Sequence, residues 1–285
     1  MTPKTTIYLL CALGGALGLA ACGLQLQKAE QAAPATDEHG EALYQGYLGL
    51  SKLEYDEGDY RDSDYFAVRA MLAGANEKFE PQMISARDLP AAKLNEMASA
   101  RRKVITAVYR GSVTKLPRAS AEAQVLFDCW MQEQEENFQP DDIAACKQGF
   151  ETAMKRIDAA FVPGEPFRGP TDDRLVFDVF FDFDKDELSP VAKEHLAAIA
   201  EITRSYENPV VTVLGNADQV GATDYNVALS ERRAKAVARE LQANGVKADA
   251  VLARGDQAPS VANPERRPEA MNRRALIVVR EAEPN

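Results

Sequence analysis

The segment 174–281 alternates strand-like and helix-like patterns, and this order constrains the fold more than any other feature of the chain. Short runs of Val, Ile, Leu and Phe predict strands, while apolar residues at three- and four-residue steps predict helices. The resulting βαβαββ order is typical of an α/β layer structure with two helices on one face of a mixed sheet. The segments are RLVFDVFFDFD, SPVAKEHLAAIAEITRSY, PVVTVLG, TDYNVALSERRAKAVARELQANG, ADAVLARG and RRALIVVR.

Residues 41–162 predict a separate all-helical domain. It begins with a hairpin of two helices, interrupted at Gly58-Asp59-Tyr60. The hairpin is similar to a single tetratricopeptide unit, but no second copy follows at the roughly 34-residue period of that repeat, so a solitary hairpin within a bundle is favoured. The Pro- and Gly-rich segment 163–173 predicts a linker, and the fold class is therefore α+β. Further helices are predicted around 90–110, 118–137 and 141–159.

The N-terminus predicts export and lipidation. Residues 1–21 carry a basic end and an apolar stretch too short to span a bilayer, which is typical of a secretory signal. The signal ends in LAAC at Cys22, which resembles a bacterial lipobox, so Cys22 is the expected site of acylation with fatty acids such as palmitate; an ordinary cleavage site is the alternative. Gly23 in place of Asp favours the outer membrane, facing the periplasm. Residues 22–40 are expected to form a flexible tether.

The cysteines predict one disulfide bond. Cys11 leaves with the signal and Cys22 is acylated, so Cys129 and Cys146 are the thiols left in an oxidising compartment. They flank the turn NFQPDDI between two predicted helices, which is a suitable spacing for a bond across a helical hairpin. A redox or metal pair is the alternative, but it needs a C-x-x-C motif or further ligands.

Composition argues against several classes of function. The formal net charge of −11, without a basic block, is poorly suited to nucleic acid. His195 lies within a predicted helix, where we expect a surface position and no catalytic role. The acids at 182–186 alternate like the start of a calcium loop, but Glu187 and Lys193 occupy the positions that need Gly and Glu. We therefore expect no enzymatic activity, no metal and no cofactor.

Two adjacent arginines in the second C-terminal helix differ in the direction they face. At about 100° per residue, Arg232 points away from the apolar face, whereas Arg233 lies on its shoulder, on one stripe with Asn226 and close to Leu229. That shoulder can face Asp218 in the loop after the preceding strand. An acid and a guanidinium at the carboxyl end of a strand suggest a ligand crevice, and a plain surface salt bridge is the alternative.

At these residues the chain resembles the OmpA C-terminal domain family, a peptidoglycan-binding module shared by OmpA, Pal lipoproteins and MotB. The resemblance covers about residues 174–281 and implies that Asp218 and Arg233 hold diaminopimelate of the peptide stem. An acid can accept from an ammonium group, and arginine can bind a carboxylate through two parallel bonds. The motifs are VFFDFDKDELSPVAKEHL, NADQVGATDYNVALSERRAKAVARELQANGV, RGDQAP and MNRRALIVV.

The chain departs from the family in the turn before the acid. Asn216 and Ala217 replace the usual His and Thr, which predicts weaker or altered binding. We select Asn226, Leu229 and Arg274 as further ligand-binding candidates, although packing is an equally good explanation for each. The residues that match motif positions beyond the acid and the arginine are Asn226, Leu229, Asn272, Arg273 and Arg274.

The sequence therefore predicts a non-enzymatic outer-membrane lipoprotein that tethers the membrane to peptidoglycan. Its expected partners are peptidoglycan, membrane lipid through acylated Cys22, and an envelope protein at the helical domain. The alternative is an envelope assembly scaffold, in which the helical domain binds a protein partner and the altered C-terminal turn has lost its ligand.

Overall fold

The computed structural model describes residues 24–161 and 174–282. The signal segment, Cys22 and the predicted linker 163–173 lie outside the described residues. Within the two described ranges, no helix combines the length and the apolar character needed to cross a bilayer. The N-terminal helices are α1 (Leu24–Gln31), α2 (Glu38–Glu57), α3 (Tyr60–Gly74), α4 (Leu94–Tyr109), α5 (Ser112–Lys115), α6 (Pro117–Glu136) and α7 (Pro140–Ala159).

Helix α1 corrects the expectation of a flexible tether. Leu26 and Ala29 of this helix are buried against the helical region, and Tyr44 donates from its hydroxyl to the Ala29 carbonyl across 2.8 Å. A short helix of this kind is held by tertiary packing and not by its own propensity. With only two buried residues, it shows no sustained apolar period in the sequence.

The predicted helical hairpin is formed by α2 and α3. Gly58 ends α2 with a φ of 87°, a left-handed conformation that glycine adopts at little cost. Asp59 then caps α3 by accepting hydrogen bonds from the amides of Arg61 and Asp62. The turn therefore ends α2 with the cap Gly58 and begins α3 with the cap Asp59.

Helices α6 and α7 form a second hairpin, which carries the disulfide. Cys129 of α6 and Cys146 of α7 are bonded, and their Cα atoms lie 5.8 Å apart. Trp130 and Phe127 of α6 pack against Phe150 of α7. The covalent bond and the aromatic contacts hold the same pair of helices together.

The C-terminal region is a mixed four-stranded sheet in the order β1-β4-β2-β3. Strands β1 and β2 are both antiparallel to β4, whereas β2 and β3 are parallel. Ser189 caps α8 through its side chain, and Pro190 is the first residue of that helix. The structure confirms the predicted βαβαββ order. The elements are β1 (Leu175–Phe180), α8 (Pro190–Thr203), β2 (Pro209–Gly215), α9 (Thr223–Ala243), β3 (Ala250–Ala253) and β4 (Arg274–Glu281).

The two C-terminal helices cover one face of the sheet. Alternate residues of the strands point towards α8 and α9, as the period of two in a strand requires. Burial of each large apolar side chain contributes about 1.5–3 kcal/mol to folding. Members of this core are Phe177, Val179, Val211, Val213, Ile277 and Val279 from the sheet and Leu196, Ile199, Val237 and Leu241 from the helices.

The helical region packs on the C-terminal region through α4, which lies against β1 and α8. His195 of α8 is 1% exposed and contacts the Asp178 carbonyl through Nε2 at 3.2 Å. Arg102 of α4 donates to its Nδ1, also across 3.2 Å. Burial, with the nearby Arg102 charge, lowers the pKa of His195 to about 3. The expected surface position of His195 is therefore wrong, because a helix from the other region covers it.

Candidate functional site

Three loop segments meet at one end of the strands, where β1 and β2 finish and β4 begins. Because β1 and β2 are both antiparallel to β4, the C-terminal ends of β1 and β2 lie beside the start of β4. The segments that meet there are residues 181–186 after β1, residues 216–218 after β2, and the turn Ala270–Asn272 with Arg273 before β4. These loops bring together the acid and the arginines on which the sequence argument depends.

Asp218 is buried, and its partner comes from the start of β4. Its Oδ2 accepts from Nη1 of Arg273 across 3.2 Å and from the amide of Glu269 at 3.4 Å. Both ion-pair side chains are almost inaccessible, with 8% of Arg273 and 6% of Asp218 exposed. The direct partner of Asp218 is therefore neither of the two arginines in α9.

Arg233 is fully buried beside this pair and joins two loops. Its Nε donates to the carbonyl of Lys185 at 2.8 Å, its Nη2 to that of Asp182 at 3.1 Å, and its Nη1 to that of Asn216 at 3.1 Å. The guanidinium also lies 5.3 Å from the centre of the Phe181 ring. Arg233 thereby connects the segment after β1 to the segment after β2.

Its neighbour Arg232 points outwards. Arg232 is exposed and reaches Asp186 at 3.5 Å, while Arg233 has none of its surface exposed. The two side chains thus differ in direction as helical periodicity predicts, which makes Arg232 a matched control for Arg233.

The Arg233 charge lacks a direct counter-ion in the described part of the chain. The ion pairs found in residues 24–161 and 174–282 include Arg273 with Asp218 and Arg232 with Asp186, but none to Arg233. Burial lowers the pKa of Arg233 to about 10, and the Arg273 charge acts in the same direction, while Asp218 and Asp186 oppose the shift. Two buried cations therefore share one buried carboxylate.

A close approach of backbone to helix positions Arg233. A Cβ atom on Gly215, the last residue of β2, would lie 1.9 Å from the carbonyl oxygen of Ser230 in α9. Only glycine allows this contact. It brings α9 against the strand end, so that Arg233, less than one turn after Ser230, reaches the carbonyl of Asn216.

The residues that depart from the family turn have structural roles. The amide of Asn216 donates to the Arg274 carbonyl, and the amide of Ala217 donates to the Gly255 carbonyl, both across 2.8 Å. The side-chain Oδ1 of Asn216 is buried and accepts no hydrogen bond from the described residues. The altered turn is therefore held by its backbone, and it adds one unused acceptor next to the site.

The structure does not bring all the selected residues to this group. Arg274 pairs with Asp178 across 2.9 Å, on the opposite side of β4 from Arg273. Asn226 is buried and donates to Oδ2 of Asp256 at 3.3 Å. Leu229 is also buried, and its side chain has no hydrogen-bonding group. These contacts are those of packing residues around the site.

Two aromatic residues at the site were not selected from the sequence. Phe181 is buried beside Arg233, and the half-exposed Phe183 has its ring centre 5.9 Å from the Arg273 guanidinium. Both belong to the segment VFFDFD, in which aromatic residues continue beyond the last residue of β1. This continuation is the sequence feature from which the two aromatic residues could have been selected. Arg273 matched a motif position, but nothing in the sequence distinguished it from the adjacent Arg274.

One group of carboxylates in the described residues has the spacing of metal ligands, and it lies elsewhere. Oxygens of Glu54, Asp59 and Glu136 are within 4.8 Å of one another in the helical region. Burial, together with repulsion from nearby acids, raises the pKa of Glu54 to about 9. A protonated Glu54 repels the neighbouring acids less than a charged one would.

The fold and this site define a sheet-and-helix domain with an acid and two arginines at its strand ends. Residues 180–275 match the model of the OmpA family, and the chain belongs to this family. Outer membrane protein A of Bordetella avium is 34% identical over 110 residues, which are 37% of this chain and 57% of that protein. The peptidoglycan-associated lipoprotein of Pasteurella multocida is 36% identical over 101 residues, covering 35% and 67%.

A solved structure of a similar protein also matches part of the chain. The peptidoglycan-associated lipoprotein of Burkholderia pseudomallei is 30% identical, and the match covers 41% of this chain and 96% of that one with a TM-score of 0.33. The chain spans little more than half the length of the Bordetella relative. The matches to these relatives cover about two fifths of this chain or less.

Proposed function

We propose that this chain is a non-enzymatic outer-membrane lipoprotein that tethers the membrane to peptidoglycan by binding diaminopimelate of the peptide stem. The observation that carries the proposal is the charge of the site, where the buried cations Arg233 and Arg273 lie beside one buried carboxylate of the described residues, that of Asp218. An uncompensated buried cation is costly, so a ligand carboxylate is favoured there. The names of the relatives, which include peptidoglycan-associated lipoproteins, support the association with peptidoglycan.

The site offers complementary groups for an amino acid head. Three of the five N–H groups of Arg233 are used by backbone carbonyls, which leaves two for a carboxylate. The hydrogen bonds that the Asp218 side chain accepts within the described residues go to Oδ2, so Oδ1 is the atom left to accept from a ligand ammonium. Because Arg233 has no exposed surface, we infer that the side chains around it shift when the ligand enters.

The membrane end of the tether rests on the predicted lipid anchor. Acylation at Cys22 would hold the chain in the outer membrane, and multiple acyl chains suffice for stable anchoring. The domains at 41–162 and 174–281, joined by the linker 163–173, then lie on the periplasmic side. The outer-membrane and lipoprotein names of the relatives support this location.

The test is retention by purified sacculi, the insoluble peptidoglycan of the cell wall. The full chain should be retained, and a tripeptide ending in diaminopimelate should release it at concentrations roughly ten- to a hundred-fold lower than the same tripeptide ending in lysine, which lacks one carboxylate. Arg233→Ala and Asp218→Ala should lose retention, while Arg232→Ala should be retained almost normally.

Two outcomes would contradict the proposal. If the three variants are retained equally, the acid and the buried arginine form only a structural group. If Arg232→Ala loses as much retention as Arg233→Ala, general electrostatic attraction is the better explanation. Circular dichroism of each variant shows that a loss of retention does not come from unfolding.

A groove in the helical region favours the scaffold as a second candidate function. Its volume is about 590 Å³, and its lining includes the apolar residues Leu43, Phe79, Val108 and Tyr109. In this alternative an envelope protein binds the helical region and the altered turn no longer binds the wall. A crosslinker at Lys78, an exposed residue of the groove lining, that captures one defined envelope protein, with no retention of the wild-type chain on sacculi, would favour it.

A further inference from the structure

We propose that Asn95, in the helical region, is a positioning residue for the ligand site of the C-terminal domain. This inference rests on the proposed function, because it concerns the same site. In this proposal the helical region has a role that the family domain alone does not supply. It fixes the end of β1, from which Phe181 contacts both Arg233 and Arg273.

The carboxamide of Asn95 binds the last residue of β1 at both of its backbone groups. Its Nδ2 donates to the Phe180 carbonyl, and the Phe180 amide donates to its Oδ1, each across 3.0 Å. Strand β1 is at the edge of the sheet, so these two groups have no neighbouring strand to bind. Asn95 thus takes the place of a strand partner at this one residue.

The next residue carries this restraint into the site. Phe181 donates from its amide to the Arg273 carbonyl at 2.8 Å, and its own carbonyl accepts from Arg273 Nε at 3.3 Å. Its ring lies against the Arg233 guanidinium. Phe181 therefore contacts both cations that flank Asp218, and it is one peptide bond away from the residue that Asn95 holds.

A second segment of the site is also seated on the helical region. Met271, two residues before Arg273, is buried in the same apolar core as Leu94 and Met97 of α4, and Phe180 belongs to that core as well. The two backbone segments that carry Phe181 and Arg273 therefore both pack on the apolar core of the helical region. A displacement of either segment would therefore move Arg233 or Arg273 with respect to Asp218.

Asn95→Ala tests the proposal, with Arg102→Gln as the matched control. Arg102 lies two turns along the same helix and contacts His195 across the same interface, and its side-chain hydrogen bonds within the described residues go to His195 and Ser99, not to residues 180–181. With the tripeptide that ends in diaminopimelate as the probe, we expect Asn95→Ala to bind about ten-fold more weakly than wild type. Arg102→Gln should bind within about two-fold of wild type.

A second readout needs no ligand. The Phe181 amide should exchange its hydrogen faster in Asn95→Ala, because the strand end that holds it has lost its fixed partner, whereas Arg102→Gln should leave this exchange unchanged. Asn95→Asp keeps the acceptor for the Phe180 amide but loses the donor, so it should fall between Ala and wild type in both measurements. This variant also serves if Asn95→Ala does not fold.

The outcomes separate the two proposals. If wild type binds the tripeptide and Asn95→Ala binds equally well, the positioning role is wrong while the proposed function stands. If Arg102→Gln loses as much binding as Asn95→Ala, a general loosening of the interface is the explanation and the positioning role is again wrong. If wild type does not bind, the proposed function fails, and unchanged Phe181 exchange would then overturn the positioning role by itself.

Discussion

Arg273 donates from Nη1 to Oδ2 of Asp218 across 3.2 Å, and both side chains are almost completely buried. The guanidinium of Arg233 lies behind this pair without an ion-pair partner in the described residues. Asp218 is therefore the carboxylate that balances two cations. Its removal should affect stability as well as ligand binding.

Asp218→Asn should destabilise the unliganded protein by about 3 kcal/mol, since removal of one partner leaves a buried charge uncompensated. Adding Arg273→Gln to this variant should cost less than the two single changes together, because the second change removes one of the stranded cations. Urea unfolding monitored by circular dichroism measures all three free energies.

The control for this cycle is the exposed pair Arg267–Glu265, in which 73% and 64% of the side chains are exposed. Arg267→Gln should change the free energy of unfolding by less than about 0.5 kcal/mol. Strict additivity of the two buried substitutions would show that Asp218 and Arg273 do not interact, contrary to the geometry of the pair.

The disulfide between Cys129 and Cys146 should stabilise the helical region. Closing a loop of this size contributes roughly 3 kcal/mol in the chain-entropy model. Protein from an oxidising compartment, denatured without reductant, should contain no thiol of this pair that can be alkylated, and reduction should lower the melting temperature. Cys129→Ala should lower it to the same extent without reductant. Recovery of both thiols in unreduced protein would be incompatible with this prediction.

Stability should fall as the pH rises because of Glu54. Burial, followed by repulsion from acids such as Asp62 and Glu133, raises its pKa from 4.5 to about 9. Below pH 4.5 both folded and unfolded chains keep the proton, whereas between 4.5 and 9 only the folded chain does, so this group lowers stability progressively across that window. Glu54→Gln should therefore be more stable than wild type at pH 8, with the difference shrinking towards pH 4.5.

Thermal melts at a series of pH values measure this effect, and the exposed Asp56 on the same helix provides the control. Asp56→Asn removes a charge of the same sign but leaves the burial of Glu54 unchanged. A constant offset between Glu54→Gln and wild type at every pH would mean that Glu54 does not titrate in this window.

Cys22→Ser should release the protein from the membrane fraction. The substitution removes the thiol that accepts the lipid, and no helix of the described residues is long and apolar enough to cross a membrane. Fractionation after enzymatic digestion of the cell wall separates lipid anchoring from wall binding. Cys11→Ser, within the signal, is the matched control and should stay with the membrane. A Cys22→Ser protein that still sediments with membranes after wall digestion would exclude the predicted anchor.

Local sequence patterns determined the order of the elements and the side of α9 on which each arginine lies. Ser189 with Pro190 starts α8, and Gly58 with Asp59 separates α2 from α3, because capping depends on residues only a few positions apart. The contrast between Arg232 and Arg233 follows from the turn angle of the helix alone. These features needed no knowledge of any distant segment.

Tertiary structure decided which residues meet. Arg273 and Arg274 are adjacent, and the register of β4 between β1 and β2 places only Arg273 beside Asp218; a shift of one residue would exchange them. His195 is buried because α4 covers it, and α1 is ordered because it packs on the helical region. Each of these outcomes depends on contacts between segments far apart in the chain, and a periodic pattern within one segment carries no information about which other segment will cover it.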